Sequence, residues 1–500
     1  MEANKSAMKA LLMNRVGDWG LTIGILYIYN VYQNYDYSVI SGVGGVMAKE
    51  AGGYIMVMTI YILIGAIAKS AQIGLHCWLP NAMEAPTPVS ALLHAATLVT
   101  AGVYLIIRTS PILEMVPSSL MVISGIGGMT ALYGAIAGMY QNDIKRIIAY
   151  STCSQLGYMV LACGVSQYSV ALYHLFNHAY FKALLFLSAG CIIHGVGDEQ
   201  DIRKMGGMVK LIPMIYTCVL IGSLSLMALP YLSGYYSKDM ILEVSYSQYK
   251  LNGRVTNWLG LITATITSLY TIRMISYTFF NSPNGRRKVY EGLKVSEGMK
   301  EGLYVVPLII LAMGSIFLGY LTKEIFVGVG TTFMSSVFVH PINNIGIEIE
   351  EIGSFIKVLP VVATLMGGVM YLVLRLGRVL VNMGEEGVLN TKYGNVSILK
   401  YRGRLINMIV ARLLRGYDWW DNIYNGMVIS GGSKVSYIMV KVVDKGVLEI
   451  LGPLGLKRLF KRVSRRMMEL DSGYIPHYGL YIIVGTVIIL MSIVGEGYIS

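Results

Sequence analysis

Charged side chains are scarce in this chain of 500 residues. They make up 14% of the sequence, whereas a soluble domain averages about 25%, and apolar residues make up 55%. This shortage of charge excludes an ordinary soluble protein. The alternating ten-residue segments of a membrane β-barrel are missing as well. The composition therefore predicts an all-α polytopic membrane protein, because helices satisfy their own backbone groups in lipid.

Acidic residues are the rarer charge type, with 28 Asp and Glu against 40 Lys and Arg and a formal net charge of +12. Such an excess of basic residues can indicate a nucleic-acid partner. Here, however, the basic residues lie in the loops and near the C-terminus. That distribution is typical of a membrane protein, and we expect no nucleic-acid binding.

Cysteine is also scarce, and because no CxxC pair occurs, neither disulfides nor iron–sulfur ligands are expected. We expect inert buried thiols at all five positions, which are Cys77, Cys153, Cys163, Cys191 and Cys218. The N-terminal stretch MEANKSAMKALLMNRVGDWG carries a charged motif in place of an uninterrupted apolar region. It is therefore not expected to be a cleavable signal peptide.

Hydrophobic runs between loop signals predict eleven membrane-spanning helices, since about 20 residues suffice to cross a bilayer. The predicted spans are 6–30, 53–76, 87–108, 118–139, 145–165, 169–193, 211–247, 256–280, 303–321, 353–378 and 476–494. Two of them contain a predicted interruption, at Gly74 in the second and at Pro230 and Gly234 in the seventh. Broken helices at bilayer depth survive only where protein or a water-filled cavity satisfies the freed backbone groups. Two such helices indicate an ion pathway built from inverted repeats.

Loop charge predicts the orientation of the chain. One side collects most of the basic residues, namely Lys5, Lys9, Lys145, Arg146, Arg203, Lys204, Arg286, Arg287, Lys288 and those after Arg375. The other side has few basic residues and carries Glu348, Glu350 and Glu351. By the positive-inside rule, the N-terminus is predicted to face the cytoplasm or matrix.

The stretch 402–471 differs from the rest, because charges recur every few residues and no part of it can span a membrane. Apolar residues three or four positions apart predict an amphipathic helix on the membrane surface, interrupted at Gly452 and Pro453. Such a helix would extend about 100 Å, so we interpret it as a lateral helix that reaches neighbouring subunits. A disordered basic linker is the alternative.

Three protonatable residues lie within the apolar run 169–194. His174, His178 and Lys182 follow at successive i+4 steps, which places them along one helix face. A buried charge in hydrocarbon costs about 2.5–3.5 kcal/mol, so this face is predicted to line a polar path that carries protons. The two histidines have the spacing of a metal pair, but no third ligand or zincin glutamate accompanies them, and no metal site is predicted.

Further titratable residues lie in the predicted spans. Lys69 precedes the interruption near Gly74 and either carries protons or extends to the interface. His94 is either a relay or a satisfied core histidine. Lys238 and Asp239 follow the second interruption, and they either govern proton release or form a structural ion pair.

Arg15 and Asp18 lie one helical turn apart in the motif NRVGDWG. We expect them to pair with each other or with a neighbouring helix. A coupling role and a structural role both remain open for this pair.

Several segments carry a resemblance to a known family: KSAQIGLHCWLPNAMEAPTPVSALLHAATLVTAGVYLI, NDIKRIIAYSTCSQLGYM, HLFNHAYFKALLFLSAGCIIH, LPYLSGYYSKDMIL and DKGVLEILGPLGLKRLFKRVSRRMMELDSGYIPHY. They resemble the chain 5 family of NADH–ubiquinone oxidoreductase, the distal antiporter-like membrane subunit of respiratory complex I. The resemblance covers nearly the whole chain. It implies that Lys69 is a channel lysine, His94 a connecting histidine, His174, His178 and Lys182 the central axis, Lys238 an exit lysine, and Arg15 and Asp18 the RVGD pair.

The resemblance also implies about five further helices ahead of this sequence, among them the glutamate that partners the channel lysine. Of the early acidic residues only Asp18 could replace that glutamate, and Asp18 is predicted to lie opposite Arg15. We therefore expect a split or shortened chain. A separate chain would supply the missing helices and the carboxylate partner of Lys69.

The resemblance implies a five-part organisation. The parts are the remainder of a first antiporter-like repeat with three helices at 1–110, a complete five-helix repeat at 118–280, two further spans at 281–400, the lateral helix at 401–472 and an anchor helix at 473–500. The expected location is the mitochondrial inner membrane, with the bacterial plasma membrane as the alternative.

The implied function is proton translocation coupled to NADH oxidation and quinone reduction in other subunits. No dinucleotide fingerprint or quinone-site signature occurs in the sequence, so no cofactor is expected in this chain. Flavin, iron–sulfur clusters and quinone would belong to other membrane-arm or peripheral subunits, and lipids would contact the lateral helix. Two alternatives stay open, a subunit of a multisubunit cation/proton antiporter and a structural clamp that has lost pumping.

Overall fold

The computed structural model describes residues 1–248, 251–285, 290, 302–328, 330–343, 352–388 and 424–496. The chain divides into two compact units, Met1–Trp420 and Asp421–Ser500. Both are helical in the described ranges, which contain no strand beyond one bridged residue pair between Asp143 and Asp201. The predicted all-α class is confirmed.

The first unit contains twelve principal helices in its described part. They are α1 Glu2–Tyr32, α2 Tyr37–Glu50, α3 Gly52–Lys69, α4 Thr87–Arg108, α5 Pro117–Tyr140, α6 Ile144–Gly164, α7 Tyr168–Gly195, α8 Pro213–Met227, α9 Met240–Ser247, α10 Leu251–Ile275, α11 Gly302–Val327 and α12 Ser354–Val388. A π-helical turn, Tyr235–Asp239, leads into α9, and another, Ser276–Phe280, extends α10.

Nine helices of the described chain are long and apolar enough to cross a membrane, which agrees with a polytopic protein. Two of the eleven predicted spans are not among them. The span 6–30 lies in α1, whose first half carries several charges, and the span 211–247 is broken into α8 and α9. The short helix α2, between the first two predicted spans, was not predicted.

The interruption of the seventh predicted span is confirmed. Helix α8 ends at Met227, and the backbone takes left-handed conformations at Ala228 (φ 65°) and Tyr231 (φ 71°) before helical structure resumes at Tyr235. Gly234 lies so close to α8 that a Cβ there would stand 1.7 Å from the Ser225 carbonyl oxygen. Glycine is therefore required at this position.

The interruption of the second predicted span is also present, but it begins earlier than expected. Helix α3 ends at Lys69, and left-handed backbone follows at Ala71 (φ 49°) and Gly74 (φ 100°). Helix α4 contains an interruption that was not predicted, a π-helical turn at Leu92–Ala96 that includes His94. All three irregular segments thus lie next to predicted pathway residues.

Helix α6 forms the centre of the first unit. Every residue from Ile147 to Gly164 is buried, although the helix contains the polar run Ser151-Thr152-Cys153-Ser154-Gln155. Helices α5, α7 and α10 pack around it. A polar run inside a fully enclosed helix must find partners on the neighbouring helices, because unpaired buried polar groups are costly.

Two loops meet at one end of this bundle. The amide of Ile144 donates to the carbonyl oxygen of Gln200 at 3.0 Å. In the second loop the Arg203 guanidinium hydrogen-bonds to Asp201, which holds the pKa of that carboxyl below its usual value. The basic residues of the two loops, Lys145 and Arg146 in one and Arg203 and Lys204 in the other, therefore lie at the same end, as the predicted topology requires.

The second unit is helical over 424–451 (α13), Pro453–Leu470 (α14) and Ile475–Glu496 (α15). The predicted interruption at Gly452 and Pro453 separates α13 from α14. Residues 401–423 of the predicted lateral helix lie outside the described ranges. Most side chains of this unit are exposed, including long apolar ones such as Leu459 and Phe460.

Candidate functional site

The first charged pair of the predicted pathway lies between α1 and α3. The helices approach so closely that a Cβ on Gly17 would stand 2.3 Å from the Cβ of Ala68. The residues that follow these two, Asp18 and Lys69, are thereby brought together, with 3.1 Å between the Asp18 Oδ1 and the Lys69 Nζ. Their side chains are 38% and 30% exposed. Lys69 therefore has a carboxylate partner within this chain.

This contact decides between two alternatives for Asp18 and corrects one prediction for Lys69. The Asp18 carboxylate pairs with Lys69 on the neighbouring helix, and no ion pair joins it to Arg15 among the described residues. The partner of Lys69 was expected from a separate chain, yet α1 supplies it. The physical reason is the absence of a side chain at Gly17, which lets α3 approach the face of α1 that carries Asp18.

The backbone freed after Lys69 is held by neighbouring side chains. The indole Nε1–H of Trp78 donates to the Ala68 carbonyl oxygen at 3.0 Å. The thiol of Cys153, on α6, donates to the Ala71 carbonyl oxygen at 3.2 Å. The helix end at Lys69 is thus anchored to the centre of the bundle, as an interruption at bilayer depth requires.

His94 is fully buried within the π-helical turn of α4. Its ring stacks on Phe186 of α7 with 5.6 Å between centroids, and it interacts electrostatically with Lys182. Neither ring nitrogen has a hydrogen-bond partner among the described residues. A core histidine with a structural role would have its nitrogens satisfied, so this geometry favours the relay interpretation.

His174 connects α7 to two other helices. One ring nitrogen, Nδ1, lies 2.9 Å from the Ser237 Oγ, in the turn before α9, and Nε2 lies 3.0 Å from the Gln155 Oε1 of α6. The next histidine on this face, His178, lies 6.3 Å away between ring centroids, and its nitrogens have no partner in the described structure. The predicted helix face therefore points inward, toward polar groups.

Lys182 continues the same face and is fully buried. Its Nζ donates to the Ser151 Oγ at 2.5 Å and to the Ile148 carbonyl oxygen at 3.2 Å. It also interacts electrostatically with His178. Both of these hydrogen-bond partners are neutral groups, and no ion pair joins Lys182 to an acid in the described part of the chain.

Lys238 lies in the turn that follows the second interruption and is 1% exposed. Its Nζ donates to the Thr267 Oγ1 of α10 at 3.1 Å and lies 5.4 Å from the ring centroid of Tyr158. It interacts electrostatically with His174 on one side and Asp239 on the other. It therefore links the α7 face to the acid that follows it.

The structure thus brings five of the predicted residues into one buried line, in the order His94, Lys182, His178, His174 and Lys238. Such a line, with hydroxyl, amide and imidazole groups between its cations, can pass protons by repeated hydrogen-bond exchange. In the described ranges no hydrogen bond or ion pair joins Lys69 to His94. The pair formed by Lys69 and Asp18 stands apart from the line.

Sequence reasoning missed the neutral partners of this line. Ser151 and Gln155 on α6, Ser237 before α9 and Thr267 on α10 each bind one of its charged or imidazole groups. For α6 a signal was available, because the polar run 151–155 interrupts an otherwise apolar helix. Ser237 and Thr267 are single hydroxyl residues of ordinary appearance, and only the packing identifies them.

A family model described as "NADH:quinone oxidoreductase/Mrp antiporter, TM" matches residues 1–279. NADH-ubiquinone oxidoreductase chain 5 of Allomyces macrogynus is 48% identical over 501 residues, which cover 99% of this chain and 75% of the relative. The protein of the same name from Cryptococcus neoformans is 45% identical, over 97% of this chain and 70% of the relative.

Two solved structures share the fold. The Mrp complex from Dietzia sp. DQ12-45-1b contains a chain with a TM-score of 0.61 and 23% identity, and the match covers 87% of this chain and 46% of that one. The membrane-bound sulfane sulfur reductase, an archaeal respiratory membrane complex, gives a TM-score of 0.56 and 21% identity over 67% of this chain and 69% of that one. At these identities the likeness concerns the fold. Taken with the family match and the curated relatives, these findings establish that the chain belongs to the NADH-ubiquinone oxidoreductase chain 5 family.

Proposed function

We propose that this chain is a proton-translocating membrane-arm subunit of respiratory complex I, which couples NADH:ubiquinone oxidoreduction in other subunits to proton pumping. The observation that carries the proposal is the buried line from His94 to Lys238, which contains two lysines and three histidines. A buried titratable group costs free energy, so a chain that places five of them in succession has a use for them.

In this proposal Lys69 exchanges protons with one half-channel, and Asp18 stabilises its charged form. His94, Lys182, His178 and His174 carry protons along the bundle, and water would bridge the imidazole nitrogens that have no protein partner. Lys238 and Asp239 govern release at the other end. Arg15 has no place in this route, and a structural role fits it better.

The assembly and location follow from the same proposal. The partners are other membrane-arm subunits, contacted along the lateral helix, and membrane lipids; no nucleic acid takes part. The redox cofactors, which are flavin, iron–sulfur clusters and quinone, are held by other subunits. The chain is a multi-pass protein of the mitochondrial inner membrane, with its N-terminus on the matrix side as the loop charges indicate.

The family description and the fold of the Mrp complex favour one alternative, a subunit of a multisubunit cation/proton antiporter. A complex I subunit and an antiporter subunit would have different partner subunits. Affinity purification of the tagged chain would recover quinone-reductase subunits if it belongs to complex I. Recovery of antiporter subunits without any redox subunit would overturn the proposal.

The test of proton translocation is Lys182→Met, which removes the lysine between His94 and His178 in the line. We expect coupled NADH oxidation and proton pumping to fall by about tenfold or more, equivalent to about 1.4 kcal/mol, because protons lose the carrier that connects these two histidines. The NADH–ferricyanide reaction, which is catalysed by other subunits, should survive. The matched control is Lys210→Met, which removes a lysine on the surface. A normal ratio of protons to electrons in the Lys182→Met enzyme would instead support the structural clamp.

A further inference from the structure

We propose that Glu243 is a further proton-relay residue, which accepts protons from Lys238 and Asp239 and releases them at the end of the bundle where α9 ends. The inference rests on the proposed function and extends its release step by one residue. Glu243 was not among the residues that the sequence patterns singled out.

The first observation is the state of Asp239. It is 3% exposed, and neither carboxylate oxygen has a hydrogen-bond partner among the described residues. The neighbouring Lys238 directs its ammonium to Thr267. A structural ion pair would be expected to satisfy its carboxylate with hydrogen bonds, since a buried acid without them is costly. Asp239 is therefore better suited to receiving a proton than to holding the helix together.

The second observation is the position of Glu243. It follows Asp239 by four residues, which places the two acids on one face of the helix with their Cβ atoms about 6 Å apart. The two carboxyl groups interact electrostatically. The residues on either side of Glu243 in α9, Leu242 and Val244, are buried, whereas Glu243 is only partly buried. It is thus the next acid along the path from the interior toward water.

The third observation is the pair of lysines around Glu243. It interacts electrostatically with Lys357, near the start of α12, and with Lys323, in the last turns of α11. Packing of α11 against the interruption brings Lys323 to this place: a Cβ on Gly319, one turn earlier, would stand 2.4 Å from the Cα of Ser233. Burial works against a charge on Glu243, and two cations contributed by two other helices offset part of that cost, so the carboxyl can both take up and release a proton.

The transfer can be written as a balanced sequence. The Lys238 ammonium gives its proton to the Asp239 carboxylate and becomes a neutral amine, and the Asp239 carboxylic acid passes that proton to the Glu243 carboxylate. Glu243 then loses the proton to the aqueous phase, and Lys238 regains one from the His174 side. No electron moves, and each group returns to its initial protonation state.

The test uses intact complex I in sealed vesicles, with Glu243→Gln as the variant. Glutamine keeps the size and polarity of the side chain but cannot carry a proton in this way. We expect proton pumping and coupled NADH oxidation to fall by at least several-fold, while the NADH–ferricyanide reaction stays unchanged. The matched control is Glu324→Gln, which removes an acid from the exposed surface at the same end of α11. It should leave all three activities as in the wild type.

Glu243→Asp provides a second measurement that does not depend on the assembly of the glutamine variant. It keeps the charge but shortens the side chain by one methylene, so proton transfer should slow and the H₂O/D₂O rate ratio should increase. A purely structural carboxylate would leave that isotope effect unchanged. Wild-type pumping in Glu243→Gln, or a wild-type rate and isotope effect in Glu243→Asp, would overturn the relay.

Lys238→Met separates this inference from the function on which it rests. If Lys238→Met abolishes pumping and the Glu243 variants pump normally, the proposed function stands and the relay fails. If neither residue matters for pumping, proton translocation by this chain fails as well.

Discussion

At the residue scale, the contact between Asp18 and Lys69 alters the interpretation of the first half-channel. The sequence leaves two partners open for Asp18, namely Arg15, one turn away on α1, and a residue of a neighbouring helix. The ion pair across helices is observed instead, at 3.1 Å. Both side chains are about one-third exposed, so the pair contributes less to stability than a buried pair would. We therefore expect this pair to matter more for proton translocation than for folding.

Asp18→Asn should therefore affect pumping more than assembly. Removing the carboxylate takes away the acidic partner that lies 3.1 Å from the Lys69 Nζ, and we expect coupled NADH oxidation to fall by several-fold with near-normal amounts of assembled complex. The measurement is coupled and uncoupled NADH oxidation in membrane vesicles. Arg15→Gln is the control, because Arg15 forms no ion pair with Asp18. An equal loss of coupled NADH oxidation in Asp18→Asn and Arg15→Gln would instead support a pair between Asp18 and Arg15.

The neutral partners of the buried lysine provide a second prediction at this scale. Ser151→Ala removes the hydroxyl that lies 2.5 Å from the Lys182 Nζ. A hydrogen bond to a charged group is worth about 1.5–3 kcal/mol, so proton uptake by Lys182 should become less favourable and pumping should slow by about tenfold.

The control for this change is Ser154→Ala, on the same buried helix. Its hydroxyl donates to the Ala131 carbonyl oxygen at 2.9 Å, away from the line of charges. Proton pumping in vesicles at matched complex content compares the two variants. Equal rates for Ser151→Ala and Ser154→Ala would show that the hydroxyl at 151 has no special role.

At the element scale, the irregular segments determine where the pathway residues lie. The interruption between α8 and α9 places Ser237 against His174 and Lys238 against Thr267. A continuous helix would have rotated these side chains away from their partners. The same holds for α4, where the π-helical turn turns His94 inward.

Gly234→Ala tests the second interruption. A Cβ there would stand 1.7 Å from the Ser225 carbonyl oxygen, so the backbone must shift, at a cost of about 1–3 kcal/mol. We expect less assembled complex on native gels and lower pumping per assembled complex. Gly125→Ala is the matched control, because nothing lies within 4 Å of a Cβ at that position of α5. Normal assembly and pumping in Gly234→Ala would mean that the interruption tolerates a side chain.

At the scale of the whole molecule, the two units differ in how their apolar side chains are covered. The first encloses a core around α6, whereas most side chains of the second are exposed, including many long apolar ones. Exposed apolar surface of this extent is typical of segments that contact lipid or other subunits.

A chain that stops before residue 421, where the second unit begins, should therefore fold its first unit and fail in assembly. Without the lateral and anchor helices, its contacts with neighbouring subunits would be fewer, and we expect a large decrease in fully assembled complex. Native gel electrophoresis of solubilised membranes, together with immunodetection of the chain, compares the amount of assembled complex for the truncated and the full-length protein. Full assembly of the truncated chain would contradict a role of the lateral helix in subunit contacts.

The sequence by itself determined the class of the protein, most of its spans and most of the charged residues that lie buried within them. These follow from local rules, because hydrophobic length predicts a span and a charge within one is too costly to be accidental. The i+4 spacing of His174, His178 and Lys182 likewise predicted a shared helix face, which the structure shows to be buried.

Only the tertiary structure decided which residues pair. The partner of Asp18 depends on how closely α3 packs at Gly17, and the partners of Lys182 and Lys238 are hydroxyl groups on other helices. The inward turn of His94 depends on one extra residue in a helical turn. Such contacts join positions far apart in the chain, and neither periodicity nor composition predicts the distance between two helices.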